Sequence, residues 1–104
     1  MQIEFNTDNN ITGSEEFIAW STSLISEELS RFSQQITRVE VHLSDENGDK
    51  EGLNDKRCVL EARLAGMKPI AVTDHGNTDE QVISGAIDKL KTSLEKITGR
   101  LKTY

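Results

Sequence analysis

Five bases crowd the last stretch of the chain: Lys89, Lys91, Lys96, Arg100 and Lys102. Lysine and arginine at helical spacing do one kind of chemistry, which is to hold anions, above all the phosphates of a nucleic-acid backbone. At about 100° per residue, Lys89, Lys96 and Arg100 fall close together on one face, with Lys91 and Lys102 on a flank. Ile83, Ile87, Leu90, Leu94, Ile97 and Leu101 repeat at the same spacing and form the apolar stripe opposite them. A plainer reading stands beside the phosphate one: cations in the later turns of a helix complement its negative end and aid solubility. Charge is unevenly spread, with 12 acids and 4 bases in residues 1–56 against 6 acids and 8 bases in residues 57–104. A local basic stripe favours a phosphate partner even on a chain of net charge −6. The same net charge argues against indiscriminate nucleic-acid binding, and DNA is not an expected partner.

Other residues with chemical potential do not assemble into a reaction. His75 beside Asp74 is a minimal general-base pair, placed in a loop, with no nucleophile next to it. No phosphate loop or serine-elbow pattern occurs, so an enzyme is not expected. Asp45, Asn47, Asp49 and Glu51 resemble the opening of a calcium loop, but Lys50 stands where glycine is needed and Lys56 where the closing glutamate belongs. Cys58, His42 and His75 lack the close pairing of a zinc set, and Cys58 and His42 have opposite strand parity. No metal and no cofactor is expected. Cys58 reads as a small buried hydrophobe, and a single cysteine, with no internal disulfide to form, agrees with a reducing compartment. No apolar run approaches the ~20 residues of a membrane span. The opening Met1-Gln2-Ile3-Glu4 lacks the basic and apolar regions of a signal peptide. A cytoplasmic location without a membrane partner is the expectation.

The elements that must position these residues follow from periodicity. Gln2 to Thr7 alternates as a strand, and Thr12 with Glu15 fits a capping box opening a helix that runs to about Phe32. That helix buries Phe17, Ile18, Leu24, Ile25, Leu29 and Phe32, and turns Glu16, Ala19, Ser23, Ser26 and Ser30 outward. Thr37 to Ser44 and Lys56 to Ala65 alternate again, on either side of a polar, acidic loop from Asp45 to Asp55. Gly66-Met67-Lys68-Pro69 reads as a tight turn into a short strand, Ile70 to Thr73, ended by Asp74-His75-Gly76-Asn77. Thr78 with Gln81 is a second capping box and opens the basic helix. The order β-α-β-β-β-α in 104 residues specifies one α+β domain spanning residues 1–104. It is a two-layer structure in which a four-stranded mixed sheet carries both helices on one face.

The other sheet face is left to solvent, lined by Arg38, Glu40, His42, Arg57, Glu61 and Arg63. Arg38, His42, Arg57 and Arg63 are a candidate second contact surface. The structural alternative is cross-strand pairing of His42, Arg57 and Arg63 with Glu40 and Glu61. Trp20, on the border of the first helix's apolar stripe, reads as partly buried core.

These pieces resemble the ribosome hibernation-promoting factors, also called ribosome-associated translation inhibitors or ribosomal subunit interface proteins. The resemblance is carried by Met1-Gln2-Ile3, Ile11-Thr12, Leu29-Ser30-Arg31-Phe32, Ile36-Thr37-Arg38-Val39-Glu40-Val41-His42-Leu43-Ser44, and Ala86-Ile87-Asp88-Lys89-Leu90 with Leu94 and the spaced bases after it. It implies binding to the small ribosomal subunit and its 16S-type rRNA. It also implies occlusion of the channel for messenger and transfer RNA, a role in ribosome hibernation and stress, and no catalysis. Lys89, Lys91, Lys96, Arg100 and Lys102 become the implied phosphate contacts, with Arg31 the base near the end of the first helix. Typical members are basic along that first helix, whereas this chain presents serines and glutamates there. The competing expectation is a protein-binding or self-associating module of the same fold, using the open sheet face and acidic loop, for which a second copy of the chain would be a partner.

Overall fold

The computed structural model describes residues 1–7, 15–45 and 56–102. Chain order is β1 (Gln2–Thr7), α1 (Glu15–Glu28), a 3-10 turn (Ser30–Phe32), β2 (Ile36–Asp45), β3 (Lys56–Leu64), β4 (Ile70–Gly76) and α2 (Asp79–Lys102). The strands lie in the order β1-β2-β3-β4 in one sheet. β1 pairs with β2 in parallel, and the two remaining pairings are antiparallel. The α+β architecture expected from periodicity is therefore the observed one. The capping residue Thr12 and the calcium-like residues Asn47, Asp49 and Glu51 lie outside the described residues.

Alternation decides which face is buried. Val39, Val41 and Leu43 of β2 lie in register with Ala62, Leu60 and Cys58 of β3, and all six are buried on the helix side. Ile25 of α1, Leu29 just after it, and Val82, Ile83, Ala86, Ile87, Leu90 and Leu94 of α2 close the core. Each fully buried aliphatic side chain contributes about 1.5–3 kcal/mol, so this layer supplies most of the stabilisation.

β2 and β3 match the sequence expectation to within one residue at each end, while the end of the first helix and the end of the last strand differ by more. The first helix stops at Glu28, and the chain tightens into a 3-10 turn closed by Phe32 N–H donating to Leu29 O (2.9 Å) and Ser33 N–H donating to Ser30 O (3.1 Å). In a 3-10 turn residues i and i+3 eclipse, so Leu29 and Phe32 both enter the core. The last strand does not end at Thr73 but continues to Gly76, because β3 extends to Lys56 and pairs Cys58 with Asp74, Arg57 with His75 and Lys56 with Gly76. Cross-strand hydrogen bonding there overrides three residues whose types signal a turn. The hairpin turn itself is as expected, with Gly66 at φ 71°, the left-handed region that glycine enters without a Cβ penalty.

Candidate nucleic-acid interface

Helix α2 begins where the capping pattern places it. Gln81 N–H donates to Thr78 Oγ1 (3.1 Å), and Gln81 Oε1 accepts from Asn77 N–H (3.1 Å), one residue earlier than in the reciprocal box. Its stripe of Val82, Ile83, Ala86, Ile87, Leu90 and Leu94 is buried. This fixes the flanks: one lies over β4 and the other faces α1.

The bases distribute themselves between those flanks. Lys89 does not share an outward face with Lys96, as the helical wheel alone suggests. It reaches down to the edge of the sheet, donating to Thr73 O (2.8 Å) and pairing with Asp74 Oδ1 (2.9 Å). Asp74 lies on the helix side of β4, where the apolar pattern predicts a hydrophobe, and its carboxylate attracts the lysine. On the opposite flank, Lys91 Nζ pairs with Glu28 Oε2 of α1 (3.1 Å). Arg31, in the 3-10 turn, pairs with Glu95 of α2 and stacks over the Phe32 ring at 4.7 Å. Lys96 is exposed and makes no ion pair among the described residues. The α2 backbone carries Arg100 and Lys102, whose side chains lie outside the described part of the structure. A shallow groove beside Lys89 is lined by Val72, Asp88, Thr92 and Ser93.

On the open sheet face two arginines pair with glutamates. Arg38 lies between Glu4 (3.7 Å) and Glu40 (3.6 Å), and Arg63 between Glu40 (3.5 Å) and Glu61 (3.4 Å). Partial burial pushes the Glu40 carboxyl upward. Donation from the Glu61 carboxyl when it holds a proton, and the charges of Arg38, Arg63 and His42, outweigh that and hold it below the usual carboxylate range. Arg57 lies between Ser44 of β2 and His75 of β4, so neither residue directly opposite it is a glutamate. His42 is exposed, opposite Val59.

The general-base pair does not form. Successive residues of a strand point to opposite faces, so Asp74 turns under α2 while His75 faces solvent beside Arg57. Cys58 is fully buried. Desolvation, with a further push from Asp74, raises its thiol to about 12. No group of three or more His, Cys, Asp or Glu that could hold a metal occurs among the described residues. Trp20 lies against the Phe17 ring at 5.8 Å, and Phe17 meets Phe5 edge-on at 6.0 Å; Trp20 is 41% exposed. Sequence reasoning passed over Glu28, Glu95 and Gly85. Gly85 had a signal: a glycine inside an amphipathic helix marks a close approach.

With this geometry, a sequence model of the family described as sigma 54 modulation protein / S30EA ribosomal protein matches residues 6–102. The chain belongs to this family. The fold agrees. The N-terminal domain of Protein Y from Thermus thermophilus superposes with a TM-score of 0.74 at 16% identity, covering 93% of this chain and 99% of that one. A ribosomal subunit interface protein from Coxiella burnetii superposes with a TM-score of 0.71 at 17% identity, covering 95% of this chain and 99% of that one. Among curated proteins no sequence relative is significant. The S30EA family is ribosome-associated, and no described helix of this member is long and apolar enough to cross a membrane.

Proposed function

We propose that this chain is a single-domain, ribosome-associated translation regulator that binds the small subunit through rRNA phosphates and acts by occluding the channel for messenger and transfer RNA. The family match over residues 6–102 carries this reading. It is supported by α2, which gathers Lys89, Lys91, Lys96, Arg100 and Lys102 on one element with Arg31 alongside. Occlusion asks only for shape and charge, which agrees with the separation of Asp74 from His75 on opposite faces of β4. The acidic balance of the chain implies weak association, and each phosphate contact that does form contributes a slope of about −0.7 to −0.9 in log K against log salt. The self-association alternative would use the sheet face, where Arg38 and Arg63 pair with Glu4, Glu40 and Glu61.

The site is tested with Lys96→Glu/Arg100→Glu, which spares Lys89. A glutamate at 89 would face Asp74 and disturb the seam between α2 and β4. The variant is expected to keep its thermal midpoint and to lose association with purified small subunits. Unchanged association would rule out this face as the contact.

A further inference from the structure

Four bases around α2 have described side chains, and three of them, Arg31, Lys89 and Lys91, are already held by carboxylates of the same chain. Two of those three form a ladder between the helices. Glu28 and Arg31 lie three residues apart at the end of α1 and in the turn after it, and Lys91 and Glu95 lie four apart on one flank of α2. In one rung α1 supplies the acid, and in the next α2 does. We propose that Glu28 and Glu95 are built-in competitors for phosphate, so that RNA binding here exchanges carboxylate for phosphate on Lys91 and Arg31. The proposal rests on the phosphate-binding reading of α2 and adds its regulation.

Three features give the ladder this role. First, its side chains remain between 29% and 59% exposed, so a ligand in solution reaches them. Second, exposed ion pairs are weak, about 0–1 kcal/mol each, so a dense array of phosphates displaces them where a dilute monoanion does not. Third, Arg31 is held from below by the Phe32 ring at 4.7 Å, so its guanidinium stays at the seam when Glu95 leaves. The third pair, Lys89–Asp74, is of another kind. Asp74 packs against Gly85, where an added Cβ would stand 2.0 Å from Oδ2, and the pair belongs to the fold. The ladder therefore restrains the interface until a polyphosphate surface meets both rungs together.

The test compares the wild type, Glu28→Gln/Glu95→Gln and Glu15→Gln/Glu16→Gln for binding to purified small ribosomal subunits between ~50 and ~200 mM salt. Glutamine keeps the size of each side chain. The second variant removes the same formal charge about 20 Å away along α1, roughly two Debye lengths. Glu28→Gln/Glu95→Gln is expected to bind roughly 3- to 20-fold more tightly than wild type at low salt. Its log–log salt slope should be steeper by roughly 0.7–0.9 per freed base. The distant variant should change affinity less than about twofold. If wild type binds and the two variants behave alike in affinity and slope, the exchange is wrong while the phosphate site stands. Weaker binding by a folded Glu28→Gln/Glu95→Gln protein would make the rungs positioning contacts and also overturn it. Absence of binding by all three at low salt removes the ladder and the RNA reading together.

Discussion

Gly85→Ala is expected to destabilise this protein, against the usual direction for a helix interior. Alanine is favoured over glycine inside a helix by about 0.8–1 kcal/mol. At position 85 the new Cβ would stand 2.0 Å from Asp74 Oδ2 and 2.7 Å from Asp74 Cγ. The carboxylate must swing away and give up its 2.9 Å contact with Lys89, or α2 must lift from β4. Overpacking of this kind costs about 1–3 kcal/mol, and loss of a half-exposed ion pair adds at most about 1 kcal/mol. Less the helix gain, the net loss is about 0–3 kcal/mol with a mid-range of about 1.5 kcal/mol, a fall in Tm of up to roughly 15 °C for a domain of this size. Thermal unfolding by circular dichroism reads it directly. In an Asp74→Ala background the obstacle is gone, and Gly85→Ala should become neutral or stabilising. A rise in Tm in the native background, or the same shift in both backgrounds, would refute the close-approach argument.

Further predictions concern the core, the turn and the titrating groups. Leu90→Ala, at a fully buried position, should cost about 2–5 kcal/mol through lost burial and the cavity left behind, read by chemical denaturation. Gly66→Ala should cost about 1–2 kcal/mol because φ 71° is strained for alanine, and it should leave ribosome association intact. Cys58 should resist alkylation by iodoacetamide in the native state at pH 8–9 and label fully on unfolding; native labelling at the unfolded rate would contradict its burial. Its folded thiol is pushed up from the ordinary value of 9.0 to about 12. The stability it contributes is thus fully present below pH 9 and lost as pH rises toward 12, and Cys58→Ala should flatten that alkaline decline. The sign is opposite for Glu40, whose folded carboxyl is lowered. Its contribution is present above the usual carboxylate range and lost as pH falls through its folded value, so Glu40→Gln should reduce the acid sensitivity of unfolding.

Periodicity made most of the fold legible. The alternation in Val39-Glu40-Val41-His42-Leu43 and in Cys58-Val59-Leu60-Glu61-Ala62 can bury only one face, and the stripe of α2 can meet only that face. The end of β4 was not legible: Asp74, Gly76 and Asn77 are turn formers by type, and only pairing with Cys58 and Lys56 keeps the strand going. The bases of the candidate site were legible as positions on a helix but not as occupied groups. Their partners lie far away in sequence, with Lys91 and Glu28 63 residues apart and Arg31 and Glu95 64 apart. The destination of Lys89 depended on one carboxylate, Asp74, that breaks the apolar pattern of its strand face. His75 and Asp74 illustrate the converse: neighbours in sequence are separated once strand parity applies.

Electrostatic engagement of the small ribosomal subunit is tested most directly by sedimentation of the wild-type protein with purified ribosomes at low and at physiological salt. Co-migration with the small subunit at low salt that fades as salt rises is the expected result. No co-migration even at low salt, or association indifferent to salt, would contradict it.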